Sequence, residues 1–433
     1  MSDHYITVDN HFYAQSGFAF PSTTFEDNGI PIVRMSDLKD GQLRFENTKY
    51  VGESWLNLAN EYLLKENDFL LGMSGSLSNY AVVTKDKIPA FLNQRVARLK
   101  SKTSEHSYEY VAYWLKSHFY LQYAEIQGEG AAQKNISAKQ IGLFRYRNAS
   151  KLEQFKIVKI LSAIDQAIEK TEALIEKYQQ IKAGLMNDLF TRGIGEDGKL
   201  RPPREQAPEL YQETPIGWIP KDWDYMSCDD CIELLTDYHA NGAYEILKIH
   251  VELLDYPDFA VMIRTTNFEQ NDFERDVKYI SKHAYSFLSK SSVQPNDILM
   301  NKIANPGVTY LMPDLGVRVS LGMNLFLLRL KNGFSPEFIQ AYLKYREDYV
   351  KTFSNGTGTK TITKDAVRSL IVVMPKKADE VTKITNSLTK LNKKINIENE
   401  HLIRVKNIKD GLMHDLLTGK TQVFINATEA AHV

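Results

Sequence analysis

The chain has 433 residues, 43% hydrophobic and 25% charged, a globular composition with room for about two to four domains that excludes disordered and collagen-like classes. Lysine and arginine number 53 against 54 acidic residues, a net charge of −1, so the basic excess of a free-standing DNA binder is missing and any nucleic-acid role needs locally placed cations or partner subunits. No run of about 18 uncharged apolar residues occurs, and "MSDHYITVDN" lacks a signal-peptide pattern; with only two cysteines, Cys228 and Cys231, a cytoplasmic, reducing location is expected.

In chain order, residues 1–150 carry short strand signals broken by Gly and Asn turns, as in "DFLLGMSGS" and "YAVV", and then a helix, "SYEYVAYWLKSH". The aromatic run "YVAYWL" from Tyr110 reads as the core-facing side of that helix. Residues 151–192 follow as a long helix. Its apolar seam is Ile157, Leu161, Ile164, Ile168, Ile175, Tyr178, Ile181 and Leu185, with the polar Thr171 at one step. The segment 193–223 is rich in Gly, Pro and charge and reads as a linker and lead-in to a second unit. Residues 224–378 repeat the first pattern, with "DILMNKIANPG", "VTYLM" and the helix "SPEFIQAYLKYR". A second long helix over 379–420 has the seam Ile384, Leu388, Leu391, Ile395, Leu402, Val405, Ile408 and Leu412, with Glu398 at the polar step. A tail, 421–433, closes the chain.

The two seams share every step at a constant offset of 227 (384 − 157). Their spacing averages about 3.5 residues, a coiled-coil seam rather than the broader stripe of a helix lying on a globular core. The repeat extends upstream: "KENDFLLGMSGSLSNYAVV" resembles "QPNDILMNKIANPGVTYLM", "RVARLK" resembles "LFLLRLK", and Lys134, Ile136 and Ser137 match Lys360, Ile362 and Thr363. The expected fold class is α+β, with two α/β domains separated by two long helices packed as an antiparallel coiled coil, related by a pseudo-two-fold internal repeat.

Motifs for chemistry are missing or misleading. "TGKT" at Thr418 has His414 where a phosphate loop needs glycine and follows a helix instead of opening one, so it reads as a helix end at Gly419. "NGTGTKT" from Asn355 reads as a turn that positions Lys360, and "SCDDC" has no partner motif for a metal site. No methyltransferase base-gripping loop and no nuclease carboxylate cluster stands out. With no metal ligands and no catalytic residues identified, the chain reads as a non-catalytic adaptor.

Several segments together resemble the specificity subunit of Type I restriction-modification enzymes: "SGFAFPSTTFEDNGIPIVRMSDLKDG", "MSGSLSNYAVV", "LNQRVARLK", "AAQKNIS", "KLEQFKIVKILSAIDQAIEK" and "ETPIGWIPKDW". The second helix departs from the family in having Val381 after Glu380, where Gln is usual. The resemblance implies two target recognition domains, each reading half of a split double-stranded DNA target, with the helix pair as ruler. It further implies docking of two modification (methyltransferase) subunits and of restriction (translocase/nuclease) subunits. S-adenosylmethionine, ATP and Mg are then expected on those partners, and no cofactor in this chain. A 28-residue seam is about 42 Å long, near one duplex turn of about 34–36 Å.

Loops between strands can reach groove edges. The candidate DNA-binding residues are Ser74, Ser76, Asn79, Tyr80, Gln94, Arg95, Lys134 and Asn135 in the first unit, and Asn301, Lys302, Asn305, Lys360, Thr361 and Thr363 in the second. Asn and Gln suit adenine, Arg suits guanine, and Lys suits phosphate or guanine. Turn formation or plain solvation is the alternative for each. A solitary or Type IIB-like methyltransferase module, or a coiled-coil scaffold that binds no DNA, stay open as alternatives for the whole chain.

Overall fold

A computed structural model describes residues 4–39, 41–128, 134–356 and 358–424. The expectations on 130–133, on Thr357 and on the tail beyond 424 lie outside these residues. The chain divides into two compact units, Met1–Ala173 with Asn399–Val433, and Leu174–Glu398. The division cuts both long helices near their midpoints.

In the first unit an antiparallel sheet runs in the order Phe12–Ser16, Val96–Ser101, Phe69–Gly72, Tyr80–Val82. A second sheet has Ile30–Val33 at its centre, antiparallel to Lys49–Val51 and parallel to Phe91–Leu92. Helix Tyr108–Lys116 starts where the Ser107 side chain accepts from the Tyr110 N–H at 3.2 Å. Its residues Tyr110 to Leu115 are all buried, as the aromatic run requires.

The second unit repeats the sheet with Ile232–Asp237, Leu325–Leu330, Ile298–Asn301 and Thr309–Leu311. It repeats the parallel pair with Ala260–Ile263 beside Val319–Leu321, and the capped helix with Pro336–Tyr345. Both copies even place the Asn of their "ND" dipeptide at positive φ, Asn67 at 69° and Asn296 at 68°. The aspartate that follows then pairs with an arginine in each, Asp68 with Arg98 at 2.9 Å and Asp297 with Arg329 at 2.7 Å.

The long helices, Lys151–Thr191 and Ala378–Thr418, have 41 residues each, about 60 Å at ~1.5 Å per residue. The second ends at Gly419, whose φ of +77° takes the left-handed cap position. Within the first unit they run antiparallel, since Asp165 pairs with Lys409 and Glu172 with Lys406, both at 2.7 Å. Within the second unit Lys394 lies over the Tyr178 ring at 5.9 Å. Ile157 and Leu161 join Met413, Leu416 and Leu417 in the first core. Met186, Leu189 and Phe190 join Ile384 and Leu388 in the second.

Ile168, Thr171, Ile175, Leu391 and Ile395 are also buried, while Ile164, Tyr178, Leu185, Leu402, Val405, Leu412 and Glu398 are half-buried. Ile181 and Ile408 depart from the expected seam, being 45% and 56% exposed. A straight helix drifts about 20° per heptad against a strict 3.5-residue period. By the last heptad of each helix the covered stripe has moved to Lys182 and Met186, and to Lys409 and Met413.

Each unit ties the start of one long helix to the end of the other through an arginine. Arg147 donates to Glu153 at 2.7 Å and to the Leu417 and Leu416 carbonyls at 2.9 and 3.3 Å. Arg201 donates to both Glu380 oxygens at 2.6 and 2.8 Å and to the Arg192 carbonyl at 3.0 Å. Glu380 also accepts from the Trp223 indole at 3.1 Å and the Ile194 N–H at 2.8 Å. Burial works against the Arg201 charge, but Glu380 and Asp222 raise its pKa above the ordinary value.

The segment 193–223 folds into the second unit. It contains Arg201 and a hairpin pairing Tyr211–Thr214 with Gly217–Pro220. Just beyond it, Cys228 and Cys231 are fully buried in the second core, and burial pushes both thiols up to about 12.

Two predictions follow from the buried groups. Glu380→Gln leaves Arg201, only 10% exposed, with the 44% exposed Asp222 as its remaining countercharge and is expected to destabilise the second unit by up to about 3 kcal/mol. Glu153→Gln, at a pair 16% and 20% exposed, is expected to cost less; urea unfolding monitored by fluorescence checks the order. Cys228 and Cys231 are expected to react with a thiol reagent at pH 8 only as fast as the second unit unfolds, so immediate labelling of native protein would contradict their burial.

Candidate functional site

The two units build the same loop frame with different side chains. In the first, Met73 N–H donates to the Arg95 carbonyl at 3.0 Å, Gly72 N–H to Asn79 at 2.8 Å, and Gly75 N–H to Lys134 at 2.9 Å. In the second, Lys302 N–H donates to Asn324 at 2.8 Å, Asn301 N–H to Val308 at 2.8 Å, and Ala304 N–H to Lys360 at 3.1 Å. Gly75 and Ala304 both turn the chain at positive φ, 71° and 68°. A non-glycine in that region costs about 1 kcal/mol or more, so the turn is imposed by the frame around Ala304 rather than by its own preference.

A cleft opens beside this frame at the C-terminal ends of each parallel strand pair. In the first unit it holds about 450 Å³ and is lined by Met35 together with the polar side chains of Arg34, Ser36, Ser74, Ser76, Asn79, Asn93 and Arg95. Ser74, Ser76, Asn79 and Arg95, scattered over 22 residues of sequence (95 − 74 + 1), are therefore brought to one place. Arg95 is exposed, and such a guanidinium can donate to phosphate or base edges.

The other first-unit candidates lie around the cleft rather than in its lining. Gln94 is exposed. Tyr80 packs against Phe69 at 5.8 Å and lies under Lys116 at 5.6 Å. Asn135 bridges to Ser74 on the loop frame, and the Lys134 ammonium is 3.6 Å from Glu125.

In the second unit the cleft holds about 350 Å³ and has an apolar wall, because an added helix, Tyr244–His250, places Tyr244, Leu247 and Val251 beside Met262 and Met323. Its polar lining is Arg264, Thr265, Thr266, Asn324 and Lys248. Asn305 and Lys360 are exposed near the loop frame. Thr361 exchanges both backbone hydrogen bonds with Asn355, at 2.8 and 2.9 Å, the turn expected of "NGTGTKT".

Three candidates there already have structural partners. Asn301 is buried, accepting from Thr265 at 3.2 Å and donating to Tyr310 at 3.3 Å. Lys302 pairs with Asp237 at 3.0 Å, which also holds Lys364 at 2.7 Å. Burial opposes ionisation of Asp237, but the hydrogen bonds from Lys364 and Lys302 hold it below the usual carboxylate range. Thr363 caps helix Lys364–Ser369 by accepting from the Ala366 N–H at 3.2 Å.

Sequence reasoning passed over Arg34, Ser36 and Asn93 in the first cleft and Arg264, Thr265, Thr266 and Asn324 in the second. A usable signal existed in "IVRMSD" and "MIRTTN". Each is a strand end, an arginine, and an Asp or Asn three residues on whose side chain caps the arginine's own N–H.

The comparisons agree with this duplicated build. A family model described as the Type I restriction modification DNA specificity domain matches residues 11–180 and again 220–407. Two proteins of Methanocaldococcus jannaschii are similar over most of their lengths. The putative type I restriction enzyme MjaX specificity subunit is 24% identical over 401 residues, 91% of this chain and 88% of the relative. The type I restriction enzyme MjaVIII specificity subunit is 22% identical over 421 residues, 91% of this chain and 89% of the relative. The Escherichia coli type I restriction enzyme EcoAI specificity subunit is 24% identical over 183 residues, covering 31% of that protein. The crystal structure of the Type I restriction-modification S subunit from M. genitalium shares the fold, with a TM-score of 0.55 at 14% identity, covering 96% of this chain and 97% of that one. Matched twice and over most of its length, the chain belongs to the Type I restriction modification DNA specificity domain family.

Proposed function

We propose that the chain is the sequence-specificity subunit of a Type I restriction-modification complex. Each unit reads one half of a bipartite double-stranded DNA target through its cleft and the surrounding loops. Residues 1–150 and 224–378 act as the two target recognition domains, and the helices at 151–192 and 379–420 set the spacing and dock two modification subunits. The chain itself catalyses nothing in this reading. S-adenosylmethionine, ATP and Mg serve the modification and restriction subunits, and the complex works in the cytoplasm.

The observation that carries the reading is one backbone frame built twice with different side chains around it. A device for recognising two half-sites needs such an arrangement, because each base pair contributes only about 1–3 kcal/mol of discrimination. Two linked readers multiply their selectivity through effective concentration. The net charge of −1 fits a subunit whose partners supply part of the phosphate neutralisation.

Mapping methylated adenines genome-wide, with and without this chain, is expected to reveal a bipartite motif that vanishes on deletion. In the assembled complex, Arg95→Ala is expected to relax one base position in a single half of that motif, lowering discrimination by roughly 5- to 150-fold, as for a lost bidentate contact. An unchanged motif after replacing the whole Ser74–Tyr80 loop together with Arg95 would favour a scaffold that binds no DNA.

A further inference from the structure

Arg34 and Arg264 occupy the same place in the two units and are held in the same way. Each follows the central strand of the parallel pair, Ile30–Val33 or Ala260–Ile263. Each Nη2 donates to a loop carbonyl, Asn47 at 2.5 Å or Asp276 at 2.9 Å. Each Nε is buried without a hydrogen-bond partner. Both side chains line their clefts, and neither Nη1 has a hydrogen bond among the described residues. Arg34 makes no ion-pair contact among them, though its charge acts on the buried Asp37 carboxylate; the Asp276 carboxylate, 3.2 Å from Arg264, is 59% exposed, where solvent screens the pair.

The cleft positions around these arginines differ between the units. Arg95 faces Asn324 in the loop-frame correspondence, and Asn79 faces Val308. Two readers of different sequences meet different base edges but the same phosphodiester backbone. What is common to both should serve the backbone, and what differs should serve the bases. A guanidinium with Nε buried and one Nη2 hydrogen held by a loop carbonyl is fixed in orientation and keeps Nη1 for a phosphate oxygen.

We propose, resting on the DNA-reading function above, that Arg34 and Arg264 are equivalent phosphate-holding residues, one in each half of the recognition machinery, and that base selection belongs to the cleft side chains that differ. Positioning by a fixed arginine then sets the depth at which the variable side chains meet the groove.

The test uses the chain assembled with its modification subunits and the target duplex found by methylation mapping. Arg34→Gln and Arg264→Gln are each expected to weaken target and random duplexes alike, by about 10-fold, and to reduce the slope of log K against log salt by about 0.9. Arg34→Lys keeps a cation and is expected to retain most of that slope. Duplexes carrying one neutral methylphosphonate at a time supply the second measurement. One phosphate per half-site should weaken wild-type binding and have no effect on the corresponding Gln variant. Should Arg34→Gln unfold the first unit, the Arg264 pair of measurements carries the test. A variant that relaxes one base pair while keeping the salt slope, or that shows full methylphosphonate sensitivity, overturns the proposal. Failure of the underlying reading looks different: the wild-type complex would then prefer no duplex over another.

Discussion

The architecture depends on two arginines that each hold the beginning of one long helix against the end of the other. Arg147 and Arg201 do this from unrelated positions in the sequence, one from the last strand before the first helix and one from the segment after it. Each brings a cation to the carbonyl end of a helix and leaves a carboxylate in the first turn of its partner helix, the favourable pairing with both helix dipoles. The duplication is therefore a duplication of a physical solution, with the residue supplied from wherever the chain passes. The cores follow from it. Ile157 and Leu161, one or two turns past Glu153, pack with Met413, Leu416 and Leu417, the last two being the residues whose carbonyls Arg147 binds.

The same logic separates frame from lining in the reading heads. The loop frame is satisfied by backbone hydrogen bonds, so it tolerates Gly75 in one copy and Ala304 in the other despite the positive φ. Side chains outside those bonds are free to change, and they do. Apart from Met35 the side chains lining the first cleft are polar, while the second gains an apolar wall from a helix at Tyr244–His250 with no counterpart among the described residues of the first unit. A frame of this kind lets a recognition surface be rewritten with little effect on stability, since the rewritten residues carry few of the bonds that hold the fold.

The long helices were readable because a 3.5-residue period, repeated at an offset of 227, is a local signal that needs no partner to be seen. The strands beginning at Phe69, Tyr80, Ile298 and Thr309 were readable for the same reason, lying between turn residues. The clefts were not, because they form where parallel strands meet. Ile32 pairs with Phe91, and Val261 with Val319, and nothing between them in sequence announces the pairing. Lys302 read as a loop cation, although the aspartate that occupies it is 65 residues away. Ile181 and Ile408 kept the period on paper, yet a real helix turns slightly less per residue than the period assumes.

That slight under-rotation also bears on why the two halves of the repeat are not interchangeable. Where Ile181 and Ile408 turn outward, Lys182 and Lys409 turn inward and are half-buried. In the first unit Asp165 pairs with Lys409 and accepts from the Tyr113 hydroxyl at 2.7 Å, a charge answered by the helix opposite and by the reading head. The residue 227 positions after Asp165 is Asn392, so Lys182 has no such carboxylate at the corresponding place, and burial together with Lys344 lowers its pKa. The second unit relies instead on aromatic packing, with Phe190 stacked on Tyr345 at 5.3 Å and the Tyr345 hydroxyl bonded to Asn187 at 3.0 Å. Grafting one half onto the other would therefore leave a half-buried carboxylate or ammonium without the partner it has in its own unit. A repeat that looks symmetric in its apolar steps is asymmetric in the charges each unit sets against its own stretch of helix.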